Sequence, residues 1–482
     1  MRDPDVVVVG GGNAGYCAAH AAAERGRRVV LLEKAPRAQA GGNSYYTLGS
    51  TRMVHDGLDD LLEVLEPDER HARTEVPPYS AAEFLADLER VTEGRGDKEL
   101  AEAVVEGSRD AVRWLHTLGL RFQLMYDRQA HEHPDGTFLF WGGSHVSNLD
   151  GGPGLMAVHE QIASRLGIEV RYDCAVTGLI TDGGSVVGVW MGDEELRAES
   201  VVIASGGFQA NPQWRQRYLG DGWQHAKVRG TPYNTGDLIS AALEIGADRG
   251  GDWSTCHSVP WDASFPENES NRALTNRLSR YGYPLGIVVN RRGERFLDEG
   301  ADFRNYTYAK YGKVILEQPD SVAFQVFDAK SHSLLTAYEY EMPGIIPLVA
   351  DSVEELAVAM KVEVDGFVRT VREFNSSIDT SRPLDPTIKD GRRAAVQPVK
   401  SNWASAVEAP PYHAYPVTCG ISFTFGGLRG DVDGRVLDRS GESIPGLFAC
   451  GETLGGLFSG NYPTGAGLTA GMVIGRRAGS LA

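Results

Sequence analysis

Cysteine is scarce and scattered in this chain. The five residues, Cys17, Cys174, Cys256, Cys419 and Cys450, form no C-x-x-C or C-x-x-C-H pattern, so their spacing predicts no zinc site, iron–sulfur cluster or c-type haem. No metal is expected. An odd, dispersed set suits a reducing compartment, and a cytoplasmic location is expected. Long hydrophobic runs are missing as well. Without a stretch of 18 apolar residues no membrane insertion is expected, and a first strand that begins by residue 6 argues against a signal peptide ahead of it. Positive charge is outnumbered, with 47 Lys and Arg against 65 Asp and Glu and a formal net charge of −18. That balance opposes nucleic acid and anionic membrane surfaces as partners. It leaves room for an anionic small molecule, because a local arginine cluster can override the global field.

Glycine is abundant. With 58 glycines, 42% hydrophobic residues and 482 positions in all, the chain has the composition of a turn-rich α/β enzyme and room for two or three domains. The stretch that organises it comes first. Four valines, residues 6–9, read as a buried parallel strand, and they run into Gly10-Gly11-Gly12-Asn13-Ala14-Gly15. Glycines at 10, 12 and 15 give the G-x-G-x-x-G spacing: Gly10 for the tight turn, Gly12 for close approach of a pyrophosphate, Gly15 for close helix–strand packing. The small-residue helix behind them aims its positive end at the phosphates. A second strand over residues 28–32 ends in Glu33, about 20 residues on, where a partner for a ribose 2′-hydroxyl is expected. An acid there favours FAD or NAD over NADP. No second glycine motif of this kind occurs, so a separate NAD(P)H domain is not expected.

Further along, Gly41-Gly42-Asn43-Ser44 leads to Leu48-Gly49 and can lay backbone N–H groups along a cofactor. Helices are expected over 59–65, 81–91 and 98–118, and residues 136–152 read as a loop wrapping cofactor or substrate. A helix over 154–166, a strand over 168–172 and a hairpin over 176–190 follow. Residues 200–208, with Ser205-Gly206-Gly207 at their end, read as a buried strand, and Asn234-Thr235-Gly236-Asp237 as the cap of a helix to about 247. From about residue 252 the texture changes. Residues 284–296 predict a hairpin, 352–361 and 363–377 predict helices, and a Pro/Gly-broken linker follows. The domain expectation is therefore 1–253 and 421–482 as one unit with 254–420 inserted into it. The late strand over 446–452 ends at Glu452, and a Gly-rich turn with Tyr462 and Gly467 enters a final helix over 468–477.

Residues 10–33, the 204–208 segment and the 446–452 strand together resemble the FAD domain of the fumarate reductase/succinate dehydrogenase flavoprotein superfamily. Residues 286–299 resemble its capping-domain signature, while Gly41-Gly42-Asn43-Ser44, residues 298–303 and residues 410–417 resemble the tricarballylate dehydrogenase branch. The resemblance covers nearly the whole chain. It implies an α/β fold, a Rossmann-like FAD-binding domain of the fumarate reductase type with an inserted α+β capping domain. It implies FAD held noncovalently, since no histidine stands in residues 41–49. Glu33 would hold the adenosine ribose, Val176 would meet the adenine through its backbone, Leu48 and Gly49 would lie near flavin N5, and Glu452 would hold the ribityl chain. The helix starting near Gly467-Leu468-Thr469 would face the flavin N1/C2=O edge. Asn13, Ala14, Lys34, Gly42, Asn43, Ser44, Ser205, Gly206 and Asp237 complete the expected cofactor set.

The chemistry implied is desaturation or reduction of a C–C bond next to a carboxylate or carbonyl, with hydride going to flavin N5 and the proton to a residue of the capping domain. Arg304 is the expected proton-transfer residue, although an ion pair with Glu299 or Asp302 is an equally simple role for it. His257 matches a capping-domain histidine. The fumarate clamp is replaced by Ser422-Phe423-Thr424 and Asn461-Tyr462, so fumarate, succinate and aspartate are not expected as substrates. Tyr462-Pro463 resembles the Tyr-Pro of 3-ketosteroid dehydrogenases, which makes a cyclic ketone the alternative substrate, with Tyr308, Tyr281, Tyr283 and Tyr306 as further phenols. Arg52, Arg277, Arg280, Arg292 and Arg295 are candidate carboxylate clamps. The partners expected are a small carboxylate or ketone and an electron-accepting protein or oxygen. A carrier of electrons or redox sensor without chemistry of its own is the reading from another class.

Overall fold

The valine run is a strand, Val6–Val9, with every residue buried. β-branched side chains suit a sheet covered on both faces, and each buried valine contributes about 1.5–3 kcal/mol. In the computed structural model, which describes residues 3–265 and 271–482, this strand pairs in parallel with Val29–Leu32 on one side and Ser200–Ile203 on the other. The full order is Arg435–Leu437, Ser443–Ala449, Ser200–Ile203, Val6–Val9, Val29–Leu32, Glu169–Arg171, parallel except for the first pair. One face of this sheet packs on Val176, Leu179, Val189 and the helix residues Leu238, Ile239 and Ala242.

Two helices of small residues, Asn13–Glu24 and Ala466–Leu481, lie against each other. Gly475 and Gly479 make this possible: a Cβ on Gly475 would lie 2.6 Å from the Ala14 carbonyl oxygen. This close packing brings the two helix N-termini together, and the Asn13 side-chain N–H donates to the Leu468 carbonyl at 3.0 Å.

These elements belong to a first compact unit formed by residues 1–224, 230–257 and 422–482; residues 225–229 and 258–421 form a second. Several local expectations need correction in the first unit. Residues 136–152 are not one loop: Phe138–Phe140 and Val146–Asn148 are strands, and a helix begins at Gly151. The 200–208 strand ends at Ile203, and a third strand, Glu194–Arg197, extends the expected hairpin. The helix expected over 59–65 is the single turn Leu58–Leu61. Helix Asp237–Glu244 has Gly236 at its N-cap and therefore no side-chain cap, and Asp237 is turned to Lys34 and Thr235.

In the second unit the sheet is built on Tyr412 to Ile421, which pairs antiparallel with Ala323–Phe327 on one side and with Leu348–Ala350 on the other. The expected hairpin over 284–296 is one strand, Ile287–Asn290, closed by a bridge between Val289 and Arg295; its partner strand is Ala323–Phe327. Helices Val353–Met360 and Val364–Ser376 pack Leu356, Phe367 and Phe374 on this sheet. Among the described residues no helix is long and apolar enough to cross a membrane.

Candidate functional site

The glycine turn is built from the backbone outward. Gly10 has φ +111°, and a Cβ there would lie 2.3 Å from the Ala204 carbonyl oxygen, so the backbone just after strand 200–203 excludes any side chain. Gly12 differs: it is the N-cap of helix Asn13–Glu24, and the nearest protein atom to a Cβ would be Ser44 Oγ at 3.5 Å. Protein packing therefore does not require Gly12, and its open face is where a bound group can reach the helix end. Asn13 is fixed on three sides. Its backbone N–H donates to Ser44 Oγ at 3.0 Å, its amide nitrogen to Leu468, and its Oδ1 lies 3.1 Å from His159 Nε2.

Glu33 is buried, and its carboxylate already serves the backbone. Oε2 accepts from Gly11 N–H and Oε1 from Ala35 N–H, both at 2.8 Å. Burial pushes its pKa up, and these backbone bonds pull against that. The Lys34 backbone adds a third such bond, and because a carboxylate offers about four lone-pair sites, one remains for another donor. Lys34 and Asp237 form an exposed ion pair at 2.7 Å, and Val176 points into the core.

A second cluster surrounds Glu452. Its carboxylate accepts from Gly207 N–H and Gln209 Nε2 at 3.3 Å, from Asn234 Nδ2 at 3.4 Å and from Asn43 Nδ2 at 3.5 Å. Asn43 Oδ1 in turn accepts from Thr231 N–H at 2.9 Å. Burial pushes the Glu452 pKa up to about 7, with the four donors opposing the rise. Ser205 and Gly206 lie at this cluster: a Cβ on Gly206 would strike the Asn234 amide. Gln209 is fully buried and its Oε1 has no hydrogen-bond partner in the protein. Beside Gly49 the same holds for Asn148 Oδ1, while its amide nitrogen donates to Leu149 and Gly151. Leu48 is half-buried.

Because the folded pKa of Glu452 exceeds the unfolded value of 4.5, the folded form holds its proton over a wider range. Its contribution to stability is full below about pH 4.5 and is lost as pH rises through about 7. Glu452→Gln is expected to flatten the fall in Tm over that window in cofactor-free protein, as calorimetry at several pH values would show.

The final helix starts at Gly465, without a side-chain cap. Gly467 N–H donates to the Tyr462 hydroxyl at 3.2 Å, and Thr469 Oγ1 exchanges bonds with the backbone N–H and C=O of Arg52. Tyr462 belongs to an aromatic cluster, with ring centroids 5.1 Å from His257, 5.3 Å from Phe423 and 5.0 Å from Phe458. His257 therefore lies against Tyr462 within the first unit.

In the second unit two expected clamps are committed elsewhere. Arg280 is fully buried on Asp262 at 2.8 Å. Arg295 is buried on Glu299, one of the two acids expected near Arg304. In the first unit Arg52 is buried among Asp87, Tyr79, Thr464 and Gly142. Arg277 donates to the Tyr338 carbonyl, and Arg292 is exposed. Arg304 opens the short helix Arg304–Tyr306, half-buried, with its guanidinium 5.9 Å from the centre of the Tyr281 ring. Tyr308 packs edge-on against Tyr281, and the Tyr283 hydroxyl bonds Thr307. Among the described residues no group of three or more His, Cys, Asp or Glu could hold a metal.

Gln209, Asn234 and Asn148 were not legible as site residues. Asn234 reads as a helix cap, and only the fold turns its amide to Glu452, 218 positions away.

The family model described as FAD binding domain matches residues 5–468. A probable fumarate reductase of Shewanella frigidimarina is 28% identical over 98% of this chain and 74% of its own length. A 4-oxocyclohexanecarboxylate 2-dehydrogenase of Sinomonas cyclohexanicum is 27% identical over 98% of this chain and 92% of its own length. The crystal structure of 3-ketosteroid Δ1-dehydrogenase from Sterolibacterium denitrificans superposes with a TM-score of 0.76 at 21% identity, covering 99% of both chains, and shows the shared fold.

Proposed function

Because the chain belongs to the FAD binding domain family, we propose that it desaturates, or in reverse reduces, a C–C bond α,β to a carboxylate or carbonyl carried on a ring. It is an FAD-dependent oxidoreductase of the fumarate reductase group. The residues present fit FAD: Gly12 leaves the first helix end open, and two buried acceptors, Gln209 Oε1 and Asn148 Oδ1, lack protein partners. Bound FAD supplies the two-electron exchange. In this reading Gly10, Gly12, Asn13, Ala14, Gly15 and Ser44 receive its phosphates, Glu33 its adenosine ribose, and Glu452 with Asn43 its ribityl chain. Leu48, Gly49, Gly467, Leu468 and Thr469 border the flavin, held without a covalent bond. The unit spanning 258–421 is the capping domain, and Arg304 is its proton-transfer residue.

The observation that carries the substrate class is the aromatic cluster of His257, Phe423, Phe458 and Tyr462. Rings favour apolar, cyclic substrate atoms by stacking and edge contacts, and a Tyr hydroxyl can donate to a carbonyl or carboxylate oxygen. The relative acting on 4-oxocyclohexanecarboxylate carries both groups on a ring in its substrate's name. An acyclic tricarboxylate, the tricarballylate dehydrogenase-like reading, rests on the 41–44 and 298–303 segments. It is less favoured, because Arg52, Arg280 and Arg295 are occupied by internal partners.

Anaerobic turnover with artificial electron donors and acceptors, over cyclic keto acids, cyclic ketones, steroids and di- and tricarboxylates, tests this. Loss or gain of two hydrogens by a cyclic compound, read by mass, is the expected result. Turnover confined to acyclic polycarboxylates would overturn the ring assignment.

A further inference from the structure

One fully buried cation in the first unit has no role in the reading above. Arg52 is fully buried, and its donors and backbone converge on the start of the last helix. Nε donates to the Thr464 carbonyl at 2.8 Å, one residue before the Gly465 N-cap. The Arg52 N–H donates to Thr469 Oγ1 at 3.1 Å, and that hydroxyl donates back to the Arg52 carbonyl at 2.6 Å. Gly465 is required by this contact, since a Cβ there would lie 2.9 Å from Arg52 N. The other end of the guanidinium donates to Gly142 at 2.9 Å and to the Tyr79 hydroxyl at 2.6 Å, and it lies within 6 Å of the Tyr79 and Phe84 ring centres, at 5.4 and 5.8 Å.

Its carboxylate partner, Asp87, stands 3.3 Å away with its side chain 16% exposed. Asp87 also holds Arg90 at 2.9 Å and the Tyr79 hydroxyl at 2.7 Å. The negative charge is thus shared and partly screened by water, whereas the guanidinium is dry. The guanidinium thus sets a positive charge beside a helix N-terminus that is itself positive through its backbone dipole, and in a low-dielectric interior such a charge acts over several ångströms.

We propose that Arg52 is a positioning residue of the FAD site that holds the Thr464–Thr469 turn and raises the two-electron midpoint potential of the bound cofactor, with Asp87 as the counterweight. The proposal rests on the FAD reading and on the last helix facing the flavin. Electrons added to the flavin meet a more positive surrounding than a neutral side chain would give. A Lys would keep the charge but lacks the planar fork that holds Thr464, Gly142 and Tyr79 together.

The test measures midpoint potential by dye equilibration on FAD-loaded wild type, Arg52→Gln, Arg52→Lys and Asp87→Asn, with Tm of the same proteins. Arg52→Gln is expected to lose about tenfold in preference for reduced over oxidised FAD, which is a negative shift of about 30 mV for a two-electron couple. Asp87→Asn is expected to shift it the opposite way. Arg52→Lys should lose Tm yet keep most of the wild-type potential. A role confined to packing would lower Tm in all three and move the potentials together or not at all, and that result overturns the proposal. If Arg52→Gln fails to fold, the sign for Asp87→Asn decides: a positive shift supports it, a negative or absent one overturns it. A wild-type protein that binds no FAD would instead overturn the reading beneath it.

Discussion

Glu33→Arg is expected to yield protein that purifies without FAD and melts at a markedly lower temperature even when cofactor-free. Two losses combine. The carboxylate proposed for the adenosine ribose becomes a cation, so an acceptor turns into a donor. The bonds from Gly11 and Ala35 N–H, both 2.8 Å, also disappear inside the protein. Hydrogen bonds to a charged group contribute about 1.5–3 kcal/mol each, and donors left unpaired in the interior add to the cost. Glu33→Gln separates the two effects, because the amide oxygen can still accept from one of those N–H groups. It should recover part of the Tm and less of the FAD affinity. Visible absorbance of the purified variants and titration of the cofactor-free protein with FAD check both. Fully yellow Glu33→Arg protein with unchanged affinity would remove Glu33 from the cofactor site.

The second large effect concerns Arg304. As a proton-transfer residue it must present its guanidinium in one orientation, and Arg304→Lys keeps the charge while losing that geometry. General acid–base work contributes on the order of 10²–10⁴-fold in rate, so turnover should fall by that much. FAD content should hold, since the residues proposed to bind it lie in the other unit. The competing role is an ion pair with Glu299, which also holds Arg295, or with Asp302. Packing competes as well: the guanidinium lies near the Tyr281 ring, an arrangement worth about 0.5–1 kcal/mol at an accessible site. A Lys variant with most of the wild-type rate and a normal solvent isotope effect would leave Arg304 a packing residue and move the proton to Tyr308 or Tyr462.

The parts that were legible in the sequence share a physical cause. Val6–Val9, the glycine turn, Val29–Leu32 and the helices Ala81–Thr92 and Lys98–Leu118 are specified by neighbours: strand composition, a turn only glycine can make, and a 3.6-residue period. The strand Ile287–Asn290 was visible, but its partner lies at Ala323–Phe327, and no turn chemistry links the two. Cys256–Asp262 and Tyr412–Thr424 carry Pro260 and Pro416 among mixed polar and aromatic residues, a composition that normally marks an edge or a loop. Arginines were the least legible. An exposed clamp and a buried structural cation are the same letter, and only the partners brought to Arg52, Arg280 and Arg295 by the fold separate them. The acids were clearer where the motif fixed their place: Glu33 ends the second strand as expected, yet its service to Gly11 and Ala35 appears only in three dimensions.

The central claim is that this chain itself exchanges two electrons with an organic substrate through bound FAD. Anaerobic titration of the purified, FAD-loaded protein tests it most directly, with cyclic keto acids and cyclic ketones as reductants and their unsaturated counterparts as oxidants of the photoreduced protein. The account predicts that at least one such pair bleaches and restores the flavin's visible band with equimolar stoichiometry. A flavin that light reduces readily, but that no member of the panel bleaches or reoxidises, would contradict it and leave an electron carrier in its place.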